Sequence, residues 1–153
     1  MRIALGADHA GVALKEDVKR VLDELGLPYE DFGTTSAAAV DYPDFAARVA
    51  RGVASGAFAR GILVCGSGIG MAIAANKVRG VRAAPAADPE AARLCRAHND
   101  ANVLTLGARF VPADRALEIV RTFLATPFAG GRHQRRLDKI AEIETQDSKL
   151  MTS

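Results

Sequence analysis

The segment Cys65-Gly-Ser-Gly-Ile-Gly70 holds the residue types best suited to chemistry. It follows the apolar run Ile62-Leu63-Val64 and opens a stretch of small residues, so it reads as a loop from a strand into a helix. The first amides of a helix lack intrahelical acceptors and sit at the positive end of its dipole. Glycines at Gly66, Gly68 and Gly70 let that backbone approach a ligand closely. A helix N-terminus favours thiolate over thiol. A thiolate beside a nest of N–H donors suits removal of a proton next to a carbonyl, with the donors holding the oxyanion that forms. Other readings stand beside this one. A dinucleotide-binding fingerprint needs Gly or Ala where Met71 stands, and it belongs after a first strand rather than a third. A phosphate-binding P-loop needs Lys and then Ser or Thr after the last glycine, and neither follows. A plain tight turn stays open, as does Cys65 as a space-filling core residue. Cys95 reads as core on a helix face.

Asp8-His9 closes the first apolar run and could position hydroxyls or a phosphate. The rival reading of Asp8 is a helix cap worth about 1 kcal/mol, which does not exclude the first. The chain has three histidines, His9, His98 and His133, each read in a turn. A turn histidine is often just a solvated surface residue. Imidazole also shuttles protons near neutral pH, and His98, followed by Asn99, sits just past a helix end. Gly130 to Arg136 gathers three arginines and a histidine. Arg132 and Arg136 are four apart and share a face if helical, and two guanidinium forks on one face suit a phosphate. Arg109, after the fifth strand, could join them. The alternatives are a solvated helix start or a nucleic-acid patch. No His, Cys and carboxylate cluster has ligand spacing, so no metal is expected.

The elements that position these residues follow from hydrophobic period and punctuation. Strands are expected at Ile3 to Leu5, Tyr29 to Phe32, Ile62 to Cys65, Val81 to Ala84 and Val103 to Leu106. Helices are expected from Val12 to Leu25, from Pro43 onward, from the glycine loop to Lys77, from Pro89 with Asp88 as cap, from Pro112 to Ala125, and from Arg135 to Glu144. Strands alternating with helices give βαβ units. The expected architecture is a three-layer α/β/α, Rossmann-like domain with a five-stranded parallel sheet. Residues 1–144 form one domain on this reading, and 145–153 a polar C-terminal tail expected to fray. Ligands of such folds lie beyond the carboxyl ends of the strands, where Asp8, Cys65 and Arg109 fall.

Composition fits that picture. The chain has 153 residues, 49% hydrophobic and 25% charged, the balance of a soluble globular domain. With 20 basic and 18 acidic side chains the net charge is +2, which argues against nucleic acid or an anionic membrane surface as partner. No apolar run is long enough to span a bilayer, and no signal peptide is recognisable. Two cysteines without Cys-x-x-Cys spacing suit a reducing cytoplasm.

Nearly the whole chain, Arg2 to about Glu144, resembles the family of type B ribose-5-phosphate isomerases, which also holds galactose-6-phosphate and allose-6-phosphate isomerases. The resemblance rests on Gly6-Ala-Asp-His-Ala-Gly11, Asp41-Tyr-Pro43, Cys65-Gly-Ser-Gly-Ile-Gly70, Ala74-Ala-Asn-Lys77, Gly80-Val-Arg82, His98-Asn-Asp-Ala-Asn102, Gly107-Ala-Arg109 and Gly131-Arg-His-Gln-Arg-Arg136. It implies cofactor-free interconversion of ribose 5-phosphate and ribulose 5-phosphate through a cis-enediolate. By that similarity Cys65 is the base, Ser67 assists beside the thiol, and the amides of Gly66 to Gly70 hold the enediolate oxygen. His98 opens the furanose ring. Asp8, Tyr42 and Asn99 bind sugar hydroxyls, and His9, Arg109, Arg132 and Arg136 hold the phosphate. A second subgroup uses a Glu where this chain has Met71, so the chain resembles the cysteine type. The resemblance also implies a homodimer with shared active sites, a tetramer being the other assembly. Two alternatives remain: the same chemistry on a six-carbon sugar phosphate, and a non-catalytic nucleotide-binding module.

Overall fold

A computed structural model of the chain describes residues 1–152, excepting the side chains of 147–149, 151 and 152. Five parallel strands, β1 (Ile3–Ala7), β2 (Tyr29–Asp31), β3 (Arg60–Cys65), β4 (Ala83–Pro85) and β5 (Val103–Gly107), form one sheet in the order β2-β1-β3-β5-β4. The central strands β1, β3 and β5 are buried on both faces, which is why their sequences show no alternation. Helices α1 (Val12–Glu24), α4 (Pro89–Ala97) and α5 (Ala113–Ala125) cover one face, where Val18, Leu22, Ile119 and Phe123 pack on Ile3, Leu5, Ile62 and Leu104. Helices α2 (Tyr42–Ala54) and α3 (Ile69–Ala75) cover the other, with Val49, Met71 and Ala75 against Ala4, Leu63 and Val103. The expected α/β class and parallel sheet are thus present. None of the described helices is long and apolar enough to cross a membrane.

Several element ends differ from the sequence reading. Asp8 caps a one-turn 3₁₀ helix (His9–Gly11) that the periodicity does not reveal; the Ala10 amide donates to its Oδ1 at 3.0 Å. Strand β4 is shorter and later than expected because two side-chain amides take over its backbone partners. The Asn76 side chain accepts from the Ala83 amide (2.8 Å) and donates to the Ala83 carbonyl (2.9 Å). The Asn102 side chain accepts from the Arg82 amide (2.8 Å). The last helix, α6 (Arg132–Thr152), starts earlier than Arg135 and runs past Glu144, where the sequence reading placed a frayed tail. Glu144 accepts from the Gly80 amide (3.2 Å) and Thr145 Oγ1 from Arg79 (3.4 Å), which ties this stretch to the α3–β4 turn. Ser153, the last residue of the expected tail, lies outside the described residues.

A buried ion pair ties α1 to the end of β2. Lys15, 1% exposed, donates to both Asp31 oxygens (2.7 and 2.6 Å) and to the Thr34 carbonyl (2.7 Å), and Lys19 also reaches Asp31 (2.6 Å). Burial pushes the Asp31 carboxyl up, but the ammonium groups of Lys15 and Lys19 and the Gly33 amide outweigh it and hold the group below the usual value. Such a carboxylate stabilises the fold above its unfolded pKa of about 3.9, and the contribution fades as pH falls through the lower folded value. Asp31→Asn is expected to cost about 3 kcal/mol at neutral pH, because Lys15 is left buried and uncompensated. It should also flatten the loss of stability on acidification below about pH 4. Denaturant melts at stepped pH check this; parallel pH curves for variant and parent would refute it.

Candidate active site

The chain reverses its winding direction between β1 and β3, and a ligand crevice in an open α/β sheet lies at such a point. Asp8 follows β1 there and Cys65 ends β3. The Asp8 amide donates to the Val64 carbonyl (3.1 Å), which holds the two ends together. Gly11 allows this approach, since a Cβ there would stand 2.5 Å from the Val64 oxygen. Asp8 is 7% exposed, and one of its oxygens is taken by the cap. His9 is exposed and accepts from the Val40 amide through Nδ1 (3.2 Å), so its proton sits on Nε2.

Cys65 is 4% exposed, and its Sγ accepts a hydrogen bond from the Gly68 amide at 3.1 Å. An amide aimed at sulfur stabilises the anionic form. Gly68 turns the chain at φ 77°, a left-handed conformation in which a side chain would be strained; its carbonyl accepts from the buried Thr105 hydroxyl (2.8 Å). Gly107 packs so closely on the loop that a Cβ would lie 2.5 Å from the Ser67 carbonyl oxygen. The loop is therefore fixed from β5. Among the described residues, the amide hydrogens of Gly66, Ser67 and Gly70 find no acceptor. Ser67 Oγ accepts from the Ile69 amide (3.2 Å) in the turn that leads into α3, two residues from the thiol. The Tyr42 ring lies over Gly70, and the Arg109 guanidinium over Gly66.

A cavity of about 270 Å³ at this end of the sheet is lined by Ser67, Pro85, Thr105, Gly107 and Phe110, and Cys65 is not on its wall. Cys95, read as core from the sequence, is buried; burial pushes its thiol up, and it donates to the Ala92 carbonyl.

The remaining expected site residues lie at the opposite end of the sheet. Helix α4 runs back against the strands, so His98 and Asn99 sit beside the strand starts. The Gly61 amide donates to the Asn102 carbonyl (2.9 Å), and Cys65 lies four residues further along β3, roughly 13 Å at the rise of a strand. The Ala129 amide donates to the Ala97 carbonyl (3.0 Å), which brings the start of α6 to the same end. His133 there stacks on His98, centroids 4.2 Å apart and planes 15° apart. Two expectations are corrected. Arg109 does not join Arg132 and Arg136 within the chain, because strand and helix ends lie at opposite ends of a parallel sheet. His133 is not in a solvated turn; it is 8% exposed in the first turn of α6. Arg132 and Arg136 are both helical and exposed, as their spacing requires for one face. Buried Arg96 donates to Asp100 (2.7 Å) and to the Ala101 carbonyl (2.8 Å), shaping the turn that carries His98 and Asn99. Asn99 opens on a cavity of about 480 Å³ shared with Arg82, Val81, Ile140 and Ile143. Among the described residues no cluster of His, Cys, Asp or Glu forms a metal site.

The fold and the loop define an open α/β protein with a switch-point crevice. Residues 3–140 match the Ribose/Galactose Isomerase family model, and the chain belongs to that family. It is 46% identical to ribose-5-phosphate isomerase B of Escherichia coli over 94% of this chain and 96% of that one. Among solved structures, ribose-5-phosphate isomerase B of Clostridium thermocellum superposes with a TM-score of 0.94 at 50% identity, covering 95% of this chain and 99% of the other. The enzyme of Mycoplasma genitalium, solved with bound ribulose 5-phosphate, does so with a TM-score of 0.91 at 43% identity, covering 94% and 96%.

Proposed function

We propose that this protein interconverts ribose 5-phosphate and ribulose 5-phosphate in the cytoplasm, with Cys65 as the base. The observation that carries the reading is the Gly68 amide donating to Cys65 Sγ within a loop of unpartnered amides at the switch point. The likeness to an enzyme solved with ribulose 5-phosphate supports the substrate. His98 moves the anomeric proton to the ring oxygen and opens the furanose. The Cys65 thiolate takes the proton from C2 of the open aldose, leaving a cis-enediolate. The amides of Gly66, Ser67 and Gly70 hold its oxygen. The thiol returns the proton to C1 as O1 gains a proton and O2 loses one, giving the ketose. Each oxyanion donor contributes roughly 3–4 kcal/mol, and the distant phosphate orients the sugar.

This division needs two chains. Cys65 and His98 stand at opposite ends of the sheet in one copy, too far apart for one sugar. Helix α3 runs between those ends and exposes Ile69 and Ile73, 56% and 59%, one turn apart. A two-fold axis across α3 sets the Cys65 loop of one copy beside His98 of the partner subunit. Asp8, His9, Tyr42 and Arg109 then come from one copy, and Asn99, Arg132 and Arg136 from the other.

Turnover of ribose 5-phosphate by the purified protein, with chelator present, is the direct test. Comparable or faster turnover of allose or galactose 6-phosphate would move the assignment to six-carbon sugars. Stabilisation by nucleotides and none by pentose phosphates would replace it with a binding module.

A further inference from the structure

We propose that His133 is a positioning residue for ring opening, acting through His98. The inference rests on His98 opening the ring, as read above. Three observations carry it. The two imidazoles stack almost face to face, 4.2 Å between centroids and 15° between planes. His133 is the buried one, 8% exposed, in the first turn of a helix anchored by the Ala129–Ala97 hydrogen bond. His98 is partly open and terminates α4. One ring is thus fixed in the fold, and the other, at a helix end, lies flat against it.

The charges around the pair give the stack a second effect. Arg132 and Arg136 bring two positive charges from α6, and Glu90 places a carboxylate in the field of His98 from α4. Burial, then His98, then the two arginines all push His133 down, which favours its uncharged ring. His133 therefore sets the plane of the His98 ring, and its surroundings disfavour a second positive charge there.

The test is a double-mutant cycle read as turnover in both directions across pH. His133→Ala should lower kcat for the cyclic aldose on the order of 10²-fold, the cost of a misplaced catalytic group, with KM nearly unchanged. His133→Phe keeps a flat ring without a charge and should recover most of that loss. In His98→Asn, adding His133→Ala should cost nothing further. Additive losses, or a His133→Phe variant as slow as His133→Ala, would overturn the proposal. A raised KM with unchanged kcat would make His133 a phosphate contact instead, and would also overturn it. Losses that track melting temperature, with the pH profile unmoved, would reduce it to a packing residue. If His98→Asn alone turned over the cyclic aldose at the parent rate, the ring-opening assignment would fall with it; additivity in a slow His98→Asn background sinks only the role of His133.

Discussion

Cys65→Ser is expected to lose isomerisation by at least 10²–10⁴-fold, the usual contribution of a general base, while remaining folded. The hydroxyl can still accept from the Gly68 amide, which the thiol does at 3.1 Å, so the loop keeps its shape. A serine hydroxyl is a far weaker acid than a thiol, so no anion is available to remove the C2 proton. Cys65→Ala should be equally inactive but less stable, by about 1–3 kcal/mol, because the buried Gly68 amide then has no acceptor. Proton exchange between C2 of the substrate and solvent is the measurement. Parent-like exchange in Cys65→Ser would take the sulfur out of the mechanism. The pair of variants separates chemistry from packing, which either alone would confound.

Mixing two disabled proteins is expected to restore activity. In a dimer built from a Cys65→Ala chain and a His98→Asn chain, one site combines both lesions and the other combines neither. Random reassociation of equal amounts makes half of the dimers mixed, so about a quarter of the parent activity should return, as closed two-fold symmetry requires. Each variant reassociated alone should stay slow. If the mixture stayed as slow as its components, the two residues would not meet across a subunit boundary, and the two-fold contact through α3 would be wrong. The size of the recovery matters: it follows from counting sites and needs no rate constant.

Much of the fold was legible because its signals are local. Buried strands read as unbroken apolar runs, and Asp88-Pro89 announces α4, where the Ala91 amide donates to Asp88 Oδ1 at 2.7 Å. The Cys65 loop was legible because three glycines in six residues leave few other uses for them. Long-range features were not. Nothing in the spacing of His98 and His133, thirty-five residues apart, foretells a stack. Neither does a lone Asn76 or Asn102 foretell a side chain bonding like a neighbouring strand. The separation of Arg109 from Arg132 and Arg136 was available in principle, since a helix crossing back over a parallel sheet must end where strands begin. The course of α6 past Glu144 was hidden because a polar stretch reads as solvated until its contacts with Arg79 and Gly80 are seen.

The amide of Asn76 has an effect beyond shortening β4. It occupies both backbone groups of Ala83 on the rim of the sheet, and Pro85, two residues on, has no N–H to offer. A foreign strand arriving at that margin finds no free N–H at Ala83 or Pro85 to bond. Growth of the sheet from one molecule into the next is therefore opposed along the β4 edge.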